Sequence, residues 1–235
     1  MDRGRSPALP WTDGQIEALK WVGLAAMGLD HVGRFLLGAG ERSWVFAGGR
    51  LAFPLFALAL GLNLARPGDA AGRARRTGAR LAAWAAVSVL PSILMRGHPQ
   101  VLNVLATLGL GTALAWAFVA PVRLSTGLAV CATAVLAARW VEFGLAGVLL
   151  VPLVFLALHR REAGLWWAVG ALLVALAWHN GRAGGLGAAA CTLAVTPLAL
   201  AVRALPLRVP ATGRLFYVLY PLHLSLIGLA RHWGA

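Results

Sequence analysis

About nine apolar stretches, each long enough or nearly long enough to cross a bilayer, follow one another along this chain with only short polar breaks. They run over 16–37, 44–64, 79–95, 101–120, 124–138, 143–158, 165–178, 186–202 and 214–231. With 60% hydrophobic and 12% charged residues, a water-soluble domain of this length has too little interior to hide its apolar side chains, whereas a bilayer solvates them directly. The fold class expected is therefore all-α: a polytopic integral membrane helical bundle of about nine transmembrane helices, range eight to ten. It forms a single transmembrane domain over residues 1–235, with membrane lipid as its surroundings.

The net charge of +13 does not imply a nucleic-acid partner, because the basic residues stand singly or in small clusters between apolar runs, where they orient helices. With the N-terminus placed in the cytoplasm, the inside segments hold fourteen Lys and Arg, counting Arg3 and Arg5, and the outside segments hold six. That bias places the N-terminus inside a bacterial inner (cytoplasmic) membrane and, with nine spans, the C-terminus outside. The strongest contribution comes from a basic cytoplasmic loop expected over 66–80, with five Arg against Asp69. The first fifteen residues are polar and no cleavable signal is evident. Cys131 and Cys191 lie in Ala-rich apolar stretches without zinc-ligand spacing, so no metal is expected.

The informative residues are those a bilayer penalises. Asp30 and His31 sit near the outer end of the first span, with Arg34 one turn beyond Asp30. An ionised side chain deep in a span costs roughly 2.5–3.5 kcal/mol on insertion scales, so it is paired, wet or functional. An interfacial Asp30–Arg34 pair is one reading and a polar site is the other. Arg50 precedes Pro54, whose missing N–H leaves Arg50's own carbonyl free, so the helix breaks beside a cation. An Arg reaching the interface would explain the same residues. Tyr217, Tyr220 and His223 fall in the last span, Tyr220 and His223 on one face. Asn103 and Thr107 share a face of the fourth span, and Glu142 begins the sixth, where an acid favours the helix dipole. His159 and His179 read as interfacial. These groups suffice for one polar site.

Their order resembles the TraX family of conjugal-transfer membrane proteins, linked to N-terminal acetylation of pilin. The likeness runs from about Gly14 to His232. It begins with Lys20-Trp21 and Met27-Gly28-Leu29-Asp30-His31-Val32-Gly33 and continues with Arg50-Leu51-Ala52-Phe53-Pro54-Leu55-Phe56-Ala57. Then come Arg80-Leu81 with Ser88 and Pro91, and Asn103-Val104-Leu105-Ala106-Thr107-Leu108. Phe143-Gly144-Leu145-Ala146-Gly147-Val148-Leu149 and Leu215-Phe216-Tyr217 with Tyr220-Pro221-Leu222-His223-Leu224 complete it. Gly213-Arg214-Leu215-Phe216-Tyr217 is also similar to a segment of the wider transmembrane acyltransferases. Where the family commonly has an acid after its second motif, this chain has Gly61-Leu62-Asn63.

The resemblance implies an acetyl-CoA-dependent O- or N-acyltransferase. Acetyl-CoA is the cytoplasmic acyl donor, and an amine or hydroxyl acceptor (pilin or an envelope glycan) is met outside. It implies His31 as base, Arg50 as oxyanion stabiliser and Asp30 as their charged neighbour. Tyr217, Tyr220, His223, Asn103 and Glu142 are then candidates for the acceptor, and Arg76 and Arg80 for the CoA phosphates. A transporter or an envelope assembly partner binding a solute at the same polar groups is the alternative.

Overall fold

The computed structural model describes residues 11–98 and 101–233, so Arg3 and Arg5 lie outside the described residues. The helices are α1 (Asp13–Phe35), α2 (Trp44–Gly49), α3 (Ala52–Leu64), α4 (Ala70–Val87), α5 (Val89–Arg96) and α6 (Val104–Val119). They continue with α7 (Leu124–Ala137), a 3-10 turn (Ala138–Trp140), α8 (Gly144–Arg160), α9 (Ala163–Leu193), α10 (Val195–Ala204) and α11 (Leu215–Trp233). The described residues hold no strand beyond a single bridge, Leu102 to Val141, so the bundle is all-α as expected. Its outer surface carries exposed Leu37, Trp44, Leu124, Trp167, Trp178 and Leu186, a distribution that fits hydrocarbon and not water.

Each expected span falls on a helix or a broken helix pair. By length and apolar composition, Trp44–Leu64 and Ala163–Ala204 qualify alone as membrane-crossing, and α4 with α5 qualifies if a pair bent by 44° counts as one span. The helices α6, α7 and α8 are apolar but shorter. The bend follows from Pro91, which cannot donate to the carbonyl of Val87 and crowds it.

A straight helix over 163–204 would measure about 63 Å, twice the hydrocarbon thickness. The chain instead folds back at Gly185, whose φ of 71° and ψ of −167° suit only glycine. Two arms, 163–184 and 186–204, then lie side by side. The Asn180 side-chain amide donates to Thr192 Oγ1 at 2.9 Å, although a continuous helix would hold residues 12 apart about 18 Å distant. The seventh and eighth expected spans are the two arms. Their tip rests on α2, where a Cβ on Gly184 would come 2.6 Å from the Phe46 ring. Their far end is tied to α1: the Gln15 amide donates to the carbonyls of Arg203 (2.8 Å) and Leu205 (3.0 Å).

One expectation needs correction. Residues 66–80 are not a loop. Only 65–69 are irregular, and from Ala70 the chain is helical, because Asp69 accepts from the Gly72 N–H at 2.7 Å as an N-cap and the Ala and Arg that follow favour helix. The arginines of this segment are therefore displayed on α4. Arg73 turns back to donate to the carbonyls of Leu64, Arg66 and Pro67, closing the C-terminus of α3.

The helix α8 lies at the centre. Gly61 of α3 packs so close to it that a Cβ would sit 2.4 Å from Val154, and Gly111 of α6 approaches the Val148 carbonyl to 2.7 Å on the same measure. Such contacts are how helices associate where burial from water gives no drive. Phe53, Leu108, Val151, Phe155 and Leu224 fill the core between α3, α6, α8 and α11.

Candidate active site

Asp30 and His31 occupy the last turns of α1, and both are buried. Arg50 stands at the break between α2 and α3. There the Arg50 and Leu51 N–H groups bond to carbonyls three residues back, and the regular pattern resumes at Leu55. The break follows from Pro54, as expected from the sequence. It aims the guanidinium at α1: Arg50 Nη2 donates to Asp30 Oδ2 at 2.8 Å, Nε to the Phe46 carbonyl at 3.3 Å, and the Phe46 ring lies 4.1 Å below.

Arg34 is only a distant second partner, 3.9 Å from the same oxygen and 3.8 Å from Glu41. The i,i+4 pair within α1 thus yields to a bond between helices. Glycine permits it: a Cβ on Gly49 would lie 2.4 Å from that of Asp30, and one on Gly33 would lie 2.9 Å from the Val45 side chain.

One residue on from Asp30, His31 faces a different helix. Its Nδ1 lies 2.9 Å from Nε2 of His223 on α11, and the two rings are within 9° of parallel. His223 Nδ1 is 3.0 Å from the Leu219 carbonyl, which can only accept. Assigned from that network, His223 carries its proton on Nδ1, its Nε2 accepts from His31 Nδ1–H, and His31 Nε2 keeps a lone pair. A neutral base in a fixed tautomer is what proton abstraction requires.

Asp30, His31, Arg34, Arg50, Arg96, Glu142 and Tyr220 line one cavity of about 460 Å³. It lies at the end of the bundle where α1 finishes. Arg96 and Glu142 form an ion pair across it. His179, expected as interfacial, also lines it.

A second cavity, about 450 Å³, opens at the opposite, Arg-rich end. It is lined by Lys20, Arg66, Arg73, Arg80 and Arg214, together with Asn63 and Tyr217. The two cavities share Met27, Phe56, Val104 and Tyr220, so they meet back to back at a waist of four side chains.

Several expected site residues are placed differently. Asn103 lines neither cavity. It caps α6, accepting from the Leu105 N–H, and its amide donates to the Ala85 carbonyl at 2.8 Å, so its polar atoms are committed to structure. Tyr217 belongs to the Arg-rich cavity, beside Arg80 and Trp84. Arg76 points away from that cavity toward Asp69, 3.7 Å distant at the surface, and Arg80 alone of the expected phosphate-binding pair lines it. His223 stands behind His31 and does not line the cavity itself. Among the described residues no group of three or more His, Cys, Asp or Glu is arranged to hold a metal ion.

The sequence reading missed Arg96 as a site residue. It entered there only as one of the six outside cations, and nothing local to it foretells Glu142 as its partner. Lys20 and Arg214, which the resemblance includes only as motif residues, also line the Arg-rich cavity beside Arg66 and Arg80.

Comparison with known proteins agrees with the order of these elements. A family profile described as TraX protein matches residues 15–231. A Protein TraX of Escherichia coli is 29% identical, with 94% of this chain and 89% of the relative covered. A Protein TraX of Escherichia coli strain K12 is 52% identical over 58 residues, which are 25% of this chain and 23% of the relative. No solved structure matches. The matched region takes in every helix except the first two residues of α1 and the last two of α11, and the chain belongs to the TraX family.

Proposed function

We propose that this chain is a membrane-embedded acyltransferase. It takes an acetyl group from acetyl-CoA at the Arg-rich, cytoplasmic end and delivers it to an amine or hydroxyl at the other, outer end. The carrying observation is that His31, held by His223, and Arg50, held by Asp30, line one cavity whose floor is also the roof of a cavity lined by five cations. Guanidinium and ammonium groups without an acid among the lining residues suit the phosphates of CoA. The thioester arm then enters the waist between Phe56 and Tyr220. Residence in a bacterial inner membrane with the N-terminus inside belongs to the same reading.

The chemistry balances without a further reactant. His31 Nε2 takes the proton of the acceptor as its N or O attacks the thioester carbonyl carbon. The oxyanion forms near the cationic end of Arg50. Collapse of the tetrahedral intermediate breaks the C–S bond, and the imidazolium returns its proton to the CoA thiolate. By the family resemblance the acceptor is a pilin N-terminus, and an envelope glycan hydroxyl would need the same steps.

The test is transfer of labelled acetyl from acetyl-CoA by the purified chain in nanodiscs, offered peptide amines and glycans, beside His31→Ala. Transfer by the wild type that falls at least a hundredfold in the variant supports the reading. Equal rates remove His31 from its role, and no transfer to any acceptor rejects the enzyme. Solute flux through proteoliposomes without acyl chemistry would instead establish the alternative, a carrier using the same paired cavities.

A further inference from the structure

A third cavity, larger than either polar one, takes no part in the chemistry above. It measures about 800 Å³, lies between α3, α8 and the two arms of the α9–α10 hairpin, and shares no lining residue with either polar cavity. Its wall is apolar from Pro54 and Val154 to Leu173 and Val195, and away from the rim Thr196 is the one polar side chain among the lining residues.

The opening has a different character. Trp11, which precedes α1, Arg161, which caps the end of α8, Trp166 in the first turns of α9, and Arg203 in the last turn of α10 surround it. No Asp or Glu is among its lining residues. This rim lies at the end of the bundle where α1 begins, because the Arg203 carbonyl accepts from Gln15.

The second arm of the hairpin is fastened at both ends, to α2 and the first arm at its tip and to Gln15 at its foot, and one face of it packs through Val195 and Val202 into a cluster with Ile16, Leu55 and Leu62, leaving the hollow beside that contact. A hollow of this size beside a bilayer does not stay empty. Water is a poor occupant, since an ordered molecule needs two to four polar partners and the lining below the rim supplies a single polar side chain, Thr196. Hydrocarbon from the surrounding leaflet is the occupant the wall fits. A cationic, tryptophan-edged rim directly above an acyl-lined slot selects the headgroup as well.

We propose that this cavity is a binding site for one anionic phospholipid of the leaflet facing the Arg-rich end. An acyl chain lies between α3, α8 and the hairpin, and the phosphate lies between Arg161 and Arg203. The lipid fills the hollow beside the second arm.

The test uses the full chain in nanodiscs of equal phosphatidylglycerol and phosphatidylcholine, with bound lipid counted by native mass spectrometry after gentle release. Two guanidiniums at about 1 kcal/mol each predict one retained lipid enriched about thirtyfold in phosphatidylglycerol. Arg203→Gln should cut that enrichment about fivefold. Arg161→Asn should do the same while suiting the left-handed backbone there (φ 58°).

Gly170 lines the cavity and a Cβ on it meets nothing within 4 Å, so Gly170→Phe fills the slot without a clash at its first atom. That variant should lose the retained lipid of both kinds. Equal retention of the two lipids by the wild type overturns the proposal. So does undiminished phosphatidylglycerol on Gly170→Phe; if that variant does not fold, unchanged selectivity in both arginine variants overturns it.

Discussion

Consider removing the two halves of the Asp30–Arg50 pair, singly and together. Both side chains are withdrawn from solvent, at 4% and 14% relative exposure, and are joined at 2.8 Å. At an effective dielectric constant near 20, two unit charges that close attract by about 6 kcal/mol, and desolvation offsets several kcal/mol of it. The intact pair therefore contributes little net stability, whereas a charge stranded by loss of its partner costs about 3–5 kcal/mol.

The surroundings make the two losses unequal. After Arg50→Met, Asp30 keeps Arg34 at 3.9 Å. After Asp30→Asn, two arginines face each other without their shared acid, and Arg50 keeps the Phe46 ring and carbonyl, a neutral amide acceptor and the more distant Glu41. Asp30→Asn should fall at the upper end of that range and Arg50→Met at the lower. The double variant should cost less than the sum by about 2–3 kcal/mol. Reversible unfolding of the four proteins in mixed micelles measures all three quantities. Additive costs within about 0.5 kcal/mol, or a costlier Arg50→Met, refute the reasoning.

Three further outcomes follow from the geometry. His223→Ala leaves His31 Nδ1–H without its acceptor and its tautomer unfixed, so kcat for acetyl transfer should drop about 10²–10⁴-fold with KM nearly unchanged; a kcat within threefold of wild type speaks against the pairing. Arg80→Ala should raise the acetyl-CoA KM about tenfold or more, as expected for a lost charge-assisted contact, while Arg76→Ala, outside the cavity, leaves it alone; the reverse pattern would relocate the donor. A Cβ on Gly181 would lie 3.2 Å from that of Ala189, so Gly181→Cys with Ala189→Cys, in a chain whose Cys131 and Cys191 are serine, should form a disulfide on mild oxidation. Two free thiols after oxidation would mean that the arms do not fold back.

What the sequence reveals of this molecule is what a single helix can report. Hydropathy marks each membrane-length run, and Pro54 announces the break at Arg50. Asp30, His31, Arg50, Tyr220 and His223 stand out because hydrocarbon penalises them, whatever they contact. Partners across helices leave no such trace. Nothing near His31 points to a ring 192 residues away, and nothing near Asn103 points to the Ala85 carbonyl that consumes its amide. Arginine density on 66–80 reads as loop because charge is taken for solvent, although Asp69 followed by Ala-rich sequence is a helix start. The glycines at 184, 185 and 187 fit helix packing and a turn alike from sequence, and the structure turns there because the backbone at Gly185 excludes other residues.

The waist of Met27, Phe56, Val104 and Tyr220 has an electrical consequence. Cavities approach it from both ends and leave a septum of four side chains, so with both cavities water-filled in an energised membrane most of the voltage would fall across that septum instead of across the full hydrocarbon. Carrying one elementary charge through it is worth about 2.3 kcal/mol per 100 mV. In the transfer proposed above, the neutral acyl moiety would cross without electrical work, whereas the acceptor's proton, delivered to the CoA thiolate, would carry one charge across the septum, so the membrane potential would act on the proton and not on the acyl group.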